Sequence, residues 1–197
     1  MEIIKINSEN LVAKAVIFLK KGKILVFPTD TVYGLIADAA SRKAVDKIFA
    51  VKKRPVAKPL PIFVKDLKMA KKFAEINQQQ EKFLKSVWPG KITAVLKRKI
   101  RQSGALKLYG VNERTIALRI PDHNFTFFLI KRVNRPLIGT SANISGRPAG
   151  TRINEIIKQF KNKKEQPDLI IDAGNLKPAK PSTVIDLTGS EPKILRK

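Results

Sequence analysis

The sequence predicts a single α/β domain over residues 1–197, with helices flanking a mixed β-sheet. Three observations carry that reading. A chain of 197 residues has the length of one domain and can bury most of its apolar surface without staples. Helical and extended patterns alternate along it, and no repeat, low-complexity tract or Pro/Gly/Ser-rich linker divides them. Late in the chain, extended signals at 169–172 and 183–187 follow one another with no helix between, which disfavours a simple doubly wound parallel sheet. A composition of 43% hydrophobic and 28% charged residues is that of a globular chain.

The elements follow in order. Ser8 is placed to cap a helix running to Lys21, with Leu11, Val12, Ala15, Val16 and Leu19 on one face and Gly22 as its stop. Ile24 to Phe27 reads as a buried strand ended by Pro28. Ser41 is placed to cap a second helix carrying Ala44, Val45, Ile48 and Phe49, which ends before Pro55. Pro59 to Val64 reads as extended, Asp66 caps a helix through Glu75, and another runs to about Trp88 before the Pro89-Gly90 turn. Ile92 to Lys99 and Thr115 to Ile120 read as strands, with a basic, polar loop from Lys97 to Arg114 between them. Residues 122–132 and Thr151 to Phe160 read as helices, and Leu137 to Thr140, Leu169 to Asp172, Thr183 to Leu187 and Ile194-Leu195 as strands.

Composition narrows the chemistry. The absence of cysteine removes disulfide frameworks, thiolate zinc sites, iron–sulfur clusters and cysteine nucleophiles. A lone histidine, His123, leaves no His-rich metal site and disfavours a Ser-His-Asp triad. Hydroxyls, carboxylates, amides, Lys, Arg and backbone N–H groups must do the work. The net charge is +24, from 40 Lys and Arg against 16 Asp and Glu, so the surface attracts polyanions. Single pairs such as Lys20-Lys21 or Lys163-Lys164 read as solvated faces, but the total predicts weak, salt-sensitive binding of tRNA or double-stranded RNA. No apolar run is long enough to span a bilayer, and MEIIKINSEN lacks a signal-peptide core. The expectation is a cytoplasmic protein without membrane contact.

Neither the G-x-x-x-x-G-K-[ST] nor the G-x-G-x-x-G nucleotide signature occurs. Four other segments carry the ligand-capable groups. In FPTDTVYGL, Phe27 to Leu35, a buried strand runs into short hydroxyls and a carboxylate, placed for a small polar ligand or for a local turn. In KKRPVAKPL, Lys52, Arg54 and Lys58 cluster at a helix end and a stiff loop, as dipole partners or as an anion cradle. In IGTSANISGRPAGT, a strand enters a loop of Thr140, Ser141, Asn143, Ser145 and three glycines, where the backbone can approach a ligand closely. The pair PSTVIDL and ILRK adds Ser182, Thr183 and Arg196 at strand edges.

Taken together, PTDTVYGL, the K-x-R followed by PL, WPGKITAVL, TIALRIP, TSANISG and PSTVIDL resemble, in order and spacing, the YrdC-like family of L-threonylcarbamoyladenylate synthases. The resemblance runs from about residue 8 to residue 196. It implies one YrdC-like domain: a twisted mixed sheet flanked by helices, with a concave positive cleft. It implies formation of threonylcarbamoyl-AMP and pyrophosphate from L-threonine, bicarbonate and ATP. Partner proteins then pass the threonylcarbamoyl group to adenosine 37 of ANN-decoding tRNAs.

Carried over by motif, Thr31, Gly139 and Ser182 resemble threonine-site residues. Lys52 and Arg54, with Lys58 on the same loop, match a K-x-R that faces nucleotide phosphates. Thr115 and Ala149 resemble nucleotide contacts, Ser141 and Asn143 the strand-end loop shared by both substrates, and Arg196 a late arginine that closes on ATP. Lys52, Arg54, Ser141 and Asn143 are the implied catalytic set. Mg²⁺ would bridge the triphosphate, so no metal-ligating side chain is nominated; Asp30 is open between a metal carboxylate and a loop brace. The chain departs from some relatives in having Phe63 where they place His, and Lys91 after WPG. It corresponds to the short form, without the linker and second domain of longer members.

The competing reading is an RNA-binding or ribosome-associated YrdC-like paralogue without synthase activity. Such a module needs Lys, Arg and stacking aromatics. Aromatics make up only 7% here, and an RNA binder has no need of Thr31, Ser141, Asn143 and Ser182 at strand ends. The related carbamoyl-transfer domains of hydrogenase maturation lie within long Cys-rich chains, which this is not.

Overall fold

The computed structural model of the protein describes residues 1–99 and 103–197. Residues 100–102, in the middle of the expected Lys97 to Arg114 loop, lie outside the described residues. The chain begins with strand β1 (Glu2–Lys5), helix α1 (Leu11–Lys20), β2 (Leu25–Phe27), β3 (Gly34–Asp38), α2 (Arg42–Lys52) and β4 (Ile62–Phe63). Helices α3 (Leu67–Phe73) and α4 (Gln78–Val87) lead to β5 (Ile92–Lys97) and β6 (Thr115–Arg119). Then come α5 (Asn124–Val133), β7 (Leu137–Ser141), α6 (Ile153–Phe160), β8 (Leu169–Asp172), β9 (Thr183–Asp186) and β10 (Lys193–Arg196).

These strands form one sheet in the order β1-β8-β2-β3-β7-β4-β6-β5-β9-β10. The sheet is mixed: β8 pairs parallel to both β1 and β2, while β3 runs antiparallel to β2 and β7. At the other side β4 pairs parallel to β6 and β9 parallel to β5, while β6 and β5 are antiparallel. The expected break from a doubly wound parallel sheet is therefore real, and β9 is added beside β5 rather than beside β8.

Local signals explain most boundaries. Ser41 caps α2 by accepting from the Ala44 N–H, and Asp66 caps α3 by accepting from the Met69 N–H. Asn77 and Gln80 form a reciprocal capping box on α4. Ser8 does not cap α1. The N-cap position is Asn10, left-handed at φ 56° and without a side-chain cap bond, while the Ser8 carbonyl accepts from the Leu11 N–H in the preceding turn. Two strands carry no expectation from the sequence reading, β1 and the fully buried β3.

Side-chain alternation divides the sheet into two faces. On one face, Val26, Leu35, Ile138, Ile62, Leu118 and Ala94 form a core with residues of α2, α3, α4 and α6. On the other, Leu25, Phe27, Ile36, Phe63, Leu137, Leu169 and Ile171 pack against α1 and α5. That second core contains no residue of β5, β6, β9 or β10. Thr115 and Ala117 of β6, with Val95 of β5, are only half-buried there. The face opposite α2, α3, α4 and α6 is thus covered by helices on one half and open on the other.

Candidate functional site

The boundary between the covered and open halves holds a pocket of about 70 Å³. Its wall comes from the β2–β3 turn (Thr29, Thr31, Val32), β4 (Phe63), β6 (Arg119), β7 (Gly139 to Ser141), β5 (Thr93), Ser182 and Arg196. Strand-end register brings them together: Gly34 pairs with Ser141, Ile36 with Gly139, and Phe63 with both Leu137 and Arg119. Pockets for drug-sized ligands measure about 300–1,000 Å³, so this space is far too small to enclose a whole nucleotide.

The hydroxyls are fixed by one another. Thr29 Oγ1 donates to the Val32 carbonyl, accepts from the Thr31 N–H, and lies 3.0 Å from Thr31 Oγ1. Thr93 Oγ1 and Ser182 Oγ are 2.9 Å apart. Gly139 is required by close approach, because a Cβ there would collide with the Phe63 ring. Phe63 meets Phe27 edge to face and lies under the Arg119 guanidinium, 5.7 Å from the ring centroid. At the position where some relatives place His, this chain has an apolar floor.

Arg119 is the residue that motif reading passed over. It is 3% exposed; Nε donates to the Gly90 carbonyl at 2.8 Å and Nη2 donates to both Asp30 carboxylate oxygens at 2.6 Å. Among the described residues its Nη1 has no partner, and the side chain lines the pocket. The available signal was a lone arginine in the otherwise apolar strand Thr115–Ile120. Asp30, left open between a metal ligand and a loop brace, is paired with Arg119.

Two more guanidinium groups belong to this region: Arg196 lines the pocket, and Arg54 stands close enough to Arg196 to feel its charge. Arg196 donates to the Ser182 carbonyl from Nη2 at 2.7 Å and from Nε at 3.2 Å. Arg54 donates to the Lys58 and Pro59 carbonyls, both at 3.0 Å. Partial burial first, and the charge of Arg196 second, lower the Arg54 pKa from its usual value. Partial burial lowers that of Arg196. Among the described residues neither has a carboxylate partner. Two cations held near each other without counter-charge form an anion site.

The structure sorts the expected site residues into groups. Thr31, Gly139, Ser141, Ser182 and Arg196 line the pocket, and Arg54 stands close to Arg196. Lys52 is 2% exposed, and its Nζ donates to the carbonyls of Ser141 and Asn143 and to Asn143 Oδ1. Asn143 is buried in the same turn. Lys58 is exposed and contributes its carbonyl to Arg54. Thr115 lies on the same side of β6 as Arg119, ~13 Å further along the open face. Ala149 precedes Gly150, whose carbonyl accepts from the Tyr33 N–H, and is half-buried outside the pocket. His123 precedes α5, with its Nδ1 3.4 Å from Thr126 Oγ1.

Among the described residues no cluster of three or more His, Cys, Asp or Glu side chains is arranged to hold a metal ion, and no helix is long and apolar enough to cross a membrane. The fold is thus an α/β domain whose sheet gathers hydroxyls and guanidinium groups without carboxylate partners at one end. The particular family is the one described as Telomere recombination, Sua5/YciO/YrdC, which matches residues 17–197; the chain belongs to it. The threonylcarbamoyl-AMP synthase of Pyrococcus abyssi is 38% identical over 180 residues, covering 91% of this chain and 51% of that protein. The structure of P. abyssi Sua5 complexed with L-threonine superposes with a TM-score of 0.85 at 35% identity, over 99% of this chain and 56% of that one. Escherichia coli YciO superposes with a TM-score of 0.85 at 26% identity, over 100% and 94% of the two chains. This chain spans about half the length of the P. abyssi synthase.

Proposed function

We propose that the protein is an L-threonylcarbamoyladenylate synthase, a nucleotidyltransferase acting in tRNA modification. The observation that carries the reading is a small hydroxyl-lined pocket with Arg196 in its wall and a second guanidinium without a carboxylate partner, Arg54, close to Arg196. The pocket fits threonine and the two guanidinium groups fit the triphosphate of ATP. The name of the P. abyssi relative and the threonine in its solved complex support the same assignment.

In this reading Arg119 receives the threonine carboxylate on its free Nη1, and the hydroxyls of Thr31 and Ser182 meet the polar side chain and amine. Gly139 and Phe63 give the flat wall against which the small ligand lies. The threonine amine and bicarbonate combine to a carbamate with loss of water. A carbamate oxygen attacks the α-phosphorus of ATP, and the bond to the β-phosphate oxygen breaks to release pyrophosphate. Such a step depends on in-line positioning and on neutralising charge, and needs no protein nucleophile. Arg54 and Arg196 supply positive charge at the leaving pyrophosphate, and Ser141 stands between the two substrates. The nucleotide lies along the open face towards Thr115, past the small side chain of Ala117. Mg²⁺ arrives on the triphosphate as part of the substrate. The product passes to partner proteins that modify adenosine 37 of ANN-decoding tRNAs.

Titration calorimetry with L-threonine tests the amino-acid site. Binding is expected in wild type, and Ser182→Ala and Arg119→Ala weaken it, the latter by about tenfold to a hundredfold for one charge-assisted contact. Folded wild-type protein that binds no L-threonine, with or without ATP, overturns the assignment.

A further inference from the structure

Of the four residues in the K-x-R and S-x-N motifs, Ser141 lines the pocket, Arg54 stands close to Arg196 in the pocket wall, and Lys52 and Asn143 bond each other. We infer that Lys52 and Asn143 are a positioning pair that clamps the β7–α6 turn, and that the substrate contacts fall to Arg54 and Ser141. The inference rests on the synthase reading for what the turn positions, though the clamp is a property of the fold.

The hydrogen-bond inventory carries the argument. An ammonium group has three donors. In the protonated form all three of Lys52 are directed to oxygens of one turn: Ser141 O, Asn143 O at 2.9 Å and Asn143 Oδ1 at 3.1 Å. None is left for a phosphate. The backbone repeats the attachment, because the Ser145 N–H donates to the Lys52 carbonyl at 2.7 Å. Asn143 is equally occupied. Its Oδ1 accepts from Lys52 Nζ and Ser141 Oγ, while its Nδ2 donates to the Ile144 and Arg147 carbonyls. Lys52 is 2% and Asn143 9% exposed, and neither lines the pocket. Ser141 lines it, as does Arg196 opposite. Lys52 therefore ties the end of α2 to the turn that presents Ser141, and a buried, satisfied network of this kind fixes one geometry.

The arrangement has a consequence for substrate binding. A lysine that touched phosphate would affect ATP and leave threonine alone. A lysine that holds the Ser141 turn affects both, since the turn borders both. Lys52 and Asn143 also belong to one network, so their effects overlap instead of adding.

Amide hydrogen exchange and substrate titrations on Lys52→Met, Lys52→Arg, Asn143→Ala and the Lys52→Met/Asn143→Ala double variant test the pair. The expected result is exchange across residues 141–150 faster by roughly tenfold or more in Lys52→Met, with α1 and α5 unchanged. Threonine and ATP are weakened by similar factors, Lys52→Arg restores part of both, and the double variant is no worse than the poorer single one. Unchanged exchange at 141–150 with loss of ATP affinity alone overturns the inference and returns Lys52 to the phosphates. If Lys52→Met does not fold, Asn143→Ala and Lys52→Arg give the same discrimination. Wild type that binds no threonine overturns the synthase reading, while the exchange comparison still decides the clamp.

Discussion

At Lys52 the fold buries an ammonium whose ordinary pKa is 10.5 and pushes it down to about 7, by burial first and by the charge of Arg54 second. The unfolded chain then holds more protons than the folded one between about pH 7 and 10.5, so this group makes stability rise with pH across that window. Below the window both states are protonated and the full cost of the buried charge is present. Denaturant titrations of wild type and Lys52→Met should show wild type gaining on the variant from pH 7 to pH 9; a flat difference would contradict the burial effect. Gly139 gives a second test at this scale. Gly139→Ala drives a methyl into the Phe63 ring, so threonine affinity falls with a loss of stability of about 1–3 kcal/mol, read by calorimetry and denaturant titration. The pocket hydroxyls stand out in the sequence as short polar residues after buried strands, and Arg54 as part of a basic cluster at a helix end. Arg119 was not nominated, because a charged residue inside an apolar strand reveals its partner only once Asp30, 89 positions away, is brought beside it.

Elements were legible where the local signal sits in adjacent residues. Ser41 and Asp66 cap the helices expected after them, and Asn77, which carried no expectation, caps α4. Asn77→Ala removes the acceptor of the Gln80 N–H in the α4 capping box, and about 1 kcal/mol of stability should go with it, measured by thermal or denaturant unfolding. No change would show that Gln80, through its bond to the Leu187 carbonyl, already holds the helix start. Ser8 failed as a cap because the chain turns once more before α1 and enters it through left-handed Asn10. β3 has no alternation to detect: Gly34–Asp38 is buried throughout, between β2 and β7. β1 is mostly exposed, and its strand conformation comes from pairing with β8, 167 residues further on in sequence.

For the whole molecule, the important asymmetry is a sheet face that α1 and α5 cover only in part. The pocket lies at that boundary, with Gly139 and Phe63 on its covered side, and in the proposed reading the open half takes the extended nucleotide. The alternation of elements and the mixed sheet were readable from the chain, but which strands lie uncovered was not, because that depends on pairing β5 with β9. The +24 charge predicts weak tRNA association that falls steeply with salt, checked by filter binding between 50 and 200 mM salt. A salt-independent affinity would assign binding to specific contacts instead. The most direct measurement is pyrophosphate release from Mg-ATP, with and without L-threonine and bicarbonate, in wild type, Arg54→Ala and Ser141→Ala. Release that requires both co-substrates and collapses in the two variants is the predicted result; folded wild-type protein showing no threonine-dependent release would contradict the account.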